Sequence, residues 1–162
     1  MPRHAFTLEQ ANALLPHVRA TFRRIRAGRE AARRRADKIA VLHALWGDAA
    51  GEPDNPDYDE LRAHERALAR CGRAIDRLIG DRLIARGIRL PAGGLEHEMV
   101  DFPTTLEGRW VYLCWRAEED RVAHYHEIEA GFAGRRPITT ELGARFALVG
   151  DPALEDDSPL DF

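Results

Sequence analysis

The hydrophobic period of this chain of 162 residues changes once, at Gly87, and that change limits the folds open to it. Before Gly87 the apolar residues recur at helical spacing: Leu8, Ala11, Leu15, Val18, Phe22 and Ile25, then Ile39, Leu42 and Trp46. Thr7 with Gln10 reads as a capping box that opens this first helix, and Gly47 with GDAAGEPDNPD closes it. Pro16 is expected to kink or break it, because the ring removes a donor and clashes with the preceding turn. A second helix starts between Asp57 and Glu60, carries Leu61, Leu68, Ile75, Leu78 and Ile79, and stops at Gly87. After Gly87 the pattern alternates, with extended segments at Ile88 to Leu90, Leu95 to Phe102, Arg109 to Arg116 and Arg121 to Ile128. Turns at Pro103 to Gly108 and Ala117 to Asp120 make the last three a meander.

The fold class these elements predict is α+β, a long antiparallel helical hairpin packed on a small antiparallel β-meander. A single domain over residues 1–150 is expected, with the hairpin at 7–86 and the meander and Gly-Arg loop at 88–149. An acidic disordered tail follows at 151–162. Arg109 to Arg116 is apolar on both faces, so it should be a central strand covered twice, by the hairpin on one side and by Ile138 to Val149 or a partner chain on the other. A first helix of nearly 40 residues spans roughly 60 Å, more than one small core needs, which points to a homodimer.

Charge and cysteine content narrow the function. Residues 1–46 carry ten Lys/Arg against three Asp/Glu, and the remainder 14 against 24, for an overall −3. The arginines at three- and four-residue steps on the first helix can track phosphates, but no nucleic-acid motif accompanies them, and a solvated helix face ranks above nucleic-acid binding. No long apolar run is present, so neither signal peptide nor membrane span is expected and the setting read from the sequence is cytoplasmic. Cys71 and Cys114 do not make a disulfide framework. Both read as reduced core residues.

The candidate site lies in VAHYHEIEAGFAGRRP, Val122 to Pro137. In a strand, His124 and His126 share a face with Val122 and Ile128. If Arg116 pairs with Arg121, His124 lies opposite Leu113 and His126 opposite Val111, on the face with Trp115. Pairing Phe102 with Arg109 would bring Glu98 to that face as third metal ligand, while a one-residue slip would present His97 and Asp101 instead. Glu60 with His64, or His17, are further donors from the helices. Two histidines and a carboxylate with open positions suit iron, and a closed tetrahedral set suits zinc; haem ranks below a bare ion. Against these stands the plainer reading, half-buried histidines bonded to carboxylates. In GFAGRRP, Arg135 and Arg136 can form an anion clamp with Arg116, and Asp101 is a candidate base, ligand or turn cap. Cys114, beside two aromatics, reads as packing.

FTLEQANALLP at Phe6 to Pro16, VDFP at Val100 to Pro103, GRWVYLCWR at Gly108 to Arg116 and HEIEAGFAGRRPI at His126 to Ile138 resemble a family of small bacterial proteins, the domain-of-unknown-function family 2203. The resemblance covers His126, Asp101, Trp115, Arg116 and Arg135, whereas His97 and His124 depart from the pattern. It implies a helical hairpin plus a small sheet and no established activity. The expected function is metal binding, with iron- or zinc-dependent catalysis on a small anionic substrate left open. The alternative is a non-catalytic homodimeric module with structural histidines.

Overall fold

The computed structural model describes residues 4–155. Its first helix, α1 (Leu8–Trp46), opens on the expected capping box: the Gln10 amide donates to Thr7 Oγ1 at 3.1 Å and the Thr7 amide to Gln10 Oε1 at 3.0 Å. The helix runs through Pro16 without a break. Ala11, Leu15 and Val18 are buried around the proline, and that packing offsets the missing hydrogen bond. Helix α2 (Tyr58–Arg82) follows, then a short helical turn ends on Gly87, whose φ of 80° is left-handed as a glycine cap requires. A one-turn helix, α3 (Gly94–His97), lies where extended chain was expected.

Four strands make one antiparallel sheet in chain order: β1 (Met99–Leu106), β2 (Arg109–Arg116), β3 (His124–Glu127) and β4 (Arg136–Pro137). A last short helix, α4 (Thr140–Gly143), is capped by Thr139. Among the described residues no helix is long and apolar enough to cross a membrane.

The chain divides into two compact units, Met1–Arg19 with Leu83–Phe162, and Ala20–Arg82. In the Ala20–Arg82 unit, α1 and α2 run antiparallel. Thr21 accepts from Arg82, Gly28 approaches Ile75, Arg35 meets His64, and Trp46 donates to Asp57, so α2 is met in descending order. Leu42, Ala50 and Leu61 close its tip, with Ile39 packed against them.

In the other unit β2 is central, and its alternation divides the sheet into two faces. One carries Val100, Phe102, Val111, Leu113, Trp115 and Tyr125, all buried. It meets the start of α1: Phe6 packs edge-on against Phe102 at 5.4 Å, and the Arg19 guanidinium lies over Trp115. Phe146 adds a contact on Tyr125. The opposite face carries Asp101, Tyr112, Cys114, His124 and His126, and is met by Arg89 and by Ala153, whose carbonyl accepts from Trp110.

Pro103 is a strand residue, not the start of a turn. Proline has no amide to donate, but β1 is flanked on its outer side by Arg89, bridged to Asp101, and by Phe6, whose amide donates to the Pro103 carbonyl at 2.8 Å. The actual turn is Glu107 and Gly108, both at positive φ as a tight two-residue hairpin demands. The expected tail is also corrected at its start. Asp151 is buried, accepts from the Gly108 and Ala153 amides, and begins a helical turn, Pro152–Leu154. Residues 156–162 of that tail lie outside the described residues.

Candidate metal centre

The register of β2 on β3 decides which side chains meet. Tyr112 lies opposite His126 and Cys114 opposite His124, one residue away from the expected pairing, so the histidines face away from Trp115. The error came from the connection. It is no four-residue turn but the seven-residue segment Ala117 to Ala123, fixed from outside. Asn12 accepts from the Val122 amide, Arg19 donates to the carbonyls of Glu119 and Asp120, and Trp115 Nε1 donates to Glu119 O. On the other flank, Asp101 pairs with Cys114.

Two adjacent rows of the sheet thus bring Asp101, Cys114 and His126 together. One ligand atom from each lies within 4.8 Å of the others, and all three residues are at most 2% exposed. His126 Nε2 is 3.3 Å from Asp101 Oδ1, and its Nδ1 is 2.8 Å from the Glu127 carbonyl oxygen. A carbonyl only accepts, so Nδ1 carries the hydrogen and Nε2 faces the cluster, as in histidine ligands oriented by a backbone carbonyl. Asp101 Oδ2 accepts from Arg89 Nη1 at 2.7 Å, and the same guanidinium lies 4.7 Å from the centre of the Tyr112 ring.

Burial works against an imidazolium at His126, but the hydrogen bonds to Asp101 and to the Glu127 carbonyl outweigh it and raise the pKa. A proton on Nε2 and a metal ion are therefore rivals for one lone pair. Burial, reinforced by the Asp101 charge, pushes the Cys114 thiol up to about 12. Such a thiol is a poor free nucleophile, and a cation is what would ionise it. A Cys-His-Asp triad is ruled out by the ring: Nδ1 is turned to the Glu127 carbonyl, and Nε2 is directed to Asp101.

The remaining predicted residues disperse. Glu98 is not on the strand; it caps α3 at φ 50°, its carbonyl accepting from the Ala117 amide. His124 shares the face of His126, but its Nδ1 lies 3.5 Å from Glu119 Oε1, outside the cluster. His97 ends α3, also outside, and His64 sits between Glu60 and Arg35 in the hairpin. The arginine clamp is not assembled. Arg116 pairs with Glu118, Arg135 makes a double contact with Glu119, and Arg136 is exposed on β4. In the glycine loop the Gly134 and Arg135 amides donate to the Gly131 and Phe132 carbonyls and are not offered to an anion. Asp101 stands at the centre of the cluster, but its oxygens are engaged by Arg89 and His126.

Arg89, Cys114 and Phe132 also line the site, with little in the sequence to mark them. Arg89 lies in the extended segment Ile88 to Leu90, and only its bridge to Asp101 reveals its role. Cys114 alternates with Tyr112 and Trp110, a pattern that reads as packing. Phe132, with Met99, Ile128, Pro91, Ala92 and Gly131, forms the wall of a cavity of about 250 Å³ against Arg89 and the three cluster residues.

Fold and site together define an α+β protein with a buried Asp-Cys-His cluster beside a small cavity. Residues 4–138 match the family model described as "Uncharacterized conserved protein (DUF2203)", and the chain belongs to that family. No curated protein and no solved structure matches it.

Proposed function

We propose that this is a metal-binding protein whose ion is held by Asp101, Cys114 and His126, with zinc or iron as the metal. The single observation that carries the reading is the convergence of one oxygen, one sulfur and one imidazole nitrogen within 4.8 Å in a fully buried setting. The mixed donor set suits zinc or iron better than magnesium or calcium, which prefer all-oxygen sites. Three protein ligands would leave room for water or a small molecule on the metal, and all three residues line the cavity. In this reading the protein is a metal-dependent enzyme: bound metal would supply Lewis-acid activation of water or substrate.

A second reading has one specific support. Arg89, Asp101 and His126 already form a closed ion and hydrogen-bond network, which can serve as a purely structural device in a non-catalytic module. The proposal also includes a cytoplasmic setting and a homodimer. Val41 and Leu45, one turn apart near the end of α1 and 62% and 65% exposed, support the latter, and light scattering tests it.

The discriminating experiment is elemental analysis of protein purified without a histidine tag. About one equivalent of zinc or iron, lost in Cys114→Ser and His126→Ala, supports the metal site. A metal-free protein whose thermal transition ignores added zinc and iron supports the structural network.

A further inference from the structure

We infer that the cavity beside the cluster takes a small monocarboxylate bearing a compact apolar group, with Arg89 anchoring its charge. The inference rests on the metal reading above and names the ligand class of the same site. Volume limits the occupant first. At about 250 Å³ the cavity is smaller than the roughly 300–1,000 Å³ of drug-sized pockets, so a nucleotide or a folded peptide segment is too large.

Lining chemistry gives the next limit. Pro91, Ala92, Met99, Ile128 and Phe132 form an apolar wall, and Arg89 is the cation among the lining residues. The wall is braced from behind: the guanidinium groups of Arg116 and Arg135 lie 5.1 and 4.7 Å from the Phe132 ring centre, and both are neutralised by Glu118 and Glu119. They position the ring and do not add free positive charge.

Charge gives the third limit. A divalent ion held by Asp101 and by Cys114 as a thiolate would be balanced by their two charges, and Arg89 would then leave the site with one net positive charge. That favours a monoanion over a phosphate dianion. Arg89 meets Asp101 through Nη1 alone, a monodentate pair, and a planar guanidinium presents further N–H groups in a fork that fits a carboxylate. One carboxylate oxygen would accept from Arg89, the other would be available to the metal, and the apolar remainder would lie against Phe132.

Benzoate and its neutral counterpart benzamide are suitable probes, titrated by calorimetry into zinc-loaded full-length protein whose metal content is measured in the same sample. The expected result is benzoate binding at least tenfold tighter than benzamide, and a loss of roughly tenfold or more in Arg89→Met at unchanged zinc content. Comparing two ligands on the unaltered protein keeps the test decisive if Arg89→Met does not fold. With one equivalent of zinc bound, equal affinity for the two probes, or no binding of either, overturns the carboxylate inference and leaves the metal site standing. Benzoate binding that needs Arg89 in a protein that takes up no zinc overturns the metal reading and keeps the carboxylate pocket. No zinc and no benzoate binding overturns both.

Discussion

Strand β2 supplies both faces of the sheet, Val111, Leu113 and Trp115 on one and Tyr112 and Cys114 on the other, yet the two faces are different kinds of interior. The face under α1 is closed by apolar contact: Phe102, Leu113 and Trp115 are fully buried, each contributing roughly 1.5–3 kcal/mol by leaving water. The opposite face is buried almost as deeply but carries a carboxylate, a thiol and an imidazole, whose desolvation is compensated by Arg89 and the Glu127 carbonyl. Side chains on the first face are matched to one another. Those on the second also face a cavity, and the polar groups converge there.

Substitutions on the two faces should separate stability from metal binding. The largest stability effect is expected from Phe102→Ala, which opens a hole against Phe6 and should cost about 3–5 kcal/mol in denaturant unfolding while the folded fraction keeps its metal stoichiometry. Asp101→Asn should cost about 2 kcal/mol, since it removes the charge shared by Arg89 and His126, and it should weaken metal binding at least tenfold. Cys114→Ser should change stability by no more than about 1 kcal/mol yet abolish stoichiometric metal uptake. If Phe102→Ala and Cys114→Ser both lost metal and stability in proportion, the contrast between the faces would be gone.

The smallest effect concerns pH at the rim of the helix-covered face. The Arg109 guanidinium beside Glu127 lowers that carboxyl's pKa from its ordinary 4.5, with partial burial working the other way. A depressed folded value means that the pair's stabilisation is present above the unfolded value and is lost as pH falls through the folded one. Glu127→Gln should therefore flatten the decline of stability below about pH 4.5 in acid titration, and an unchanged slope would remove the pair from the account.

Local and periodic features of the fold were legible in the sequence. The capping box at Thr7 and Gln10, the helical spacing to Trp46, the stop at Gly87 and the alternation of Arg109 to Arg116 each depend on neighbours a few residues apart. Features set by distant contacts were not. Register across Ala117 to Ala123 depends on Asn12 and Arg19, about a hundred residues upstream, and a one-residue error there exchanged the two faces. Pro103 was read as a turn residue because the amide it lacks is of no use only on the flank where Phe6 donates to its carbonyl. His126 and Asp101 are legible as site residues, whereas Glu98 caps α3 and lies off the strand that its alternation suggests. Cys114 was set aside because alternation with aromatics cannot distinguish a packed thiol from a ligand.

X-ray absorption at the zinc edge of the zinc-loaded protein tests the central claim most directly. One sulfur is expected at about 2.3 Å, with the remaining ligands nitrogen or oxygen at about 2.0–2.2 Å. A coordination sphere of nitrogen and oxygen alone in the unaltered protein would contradict it.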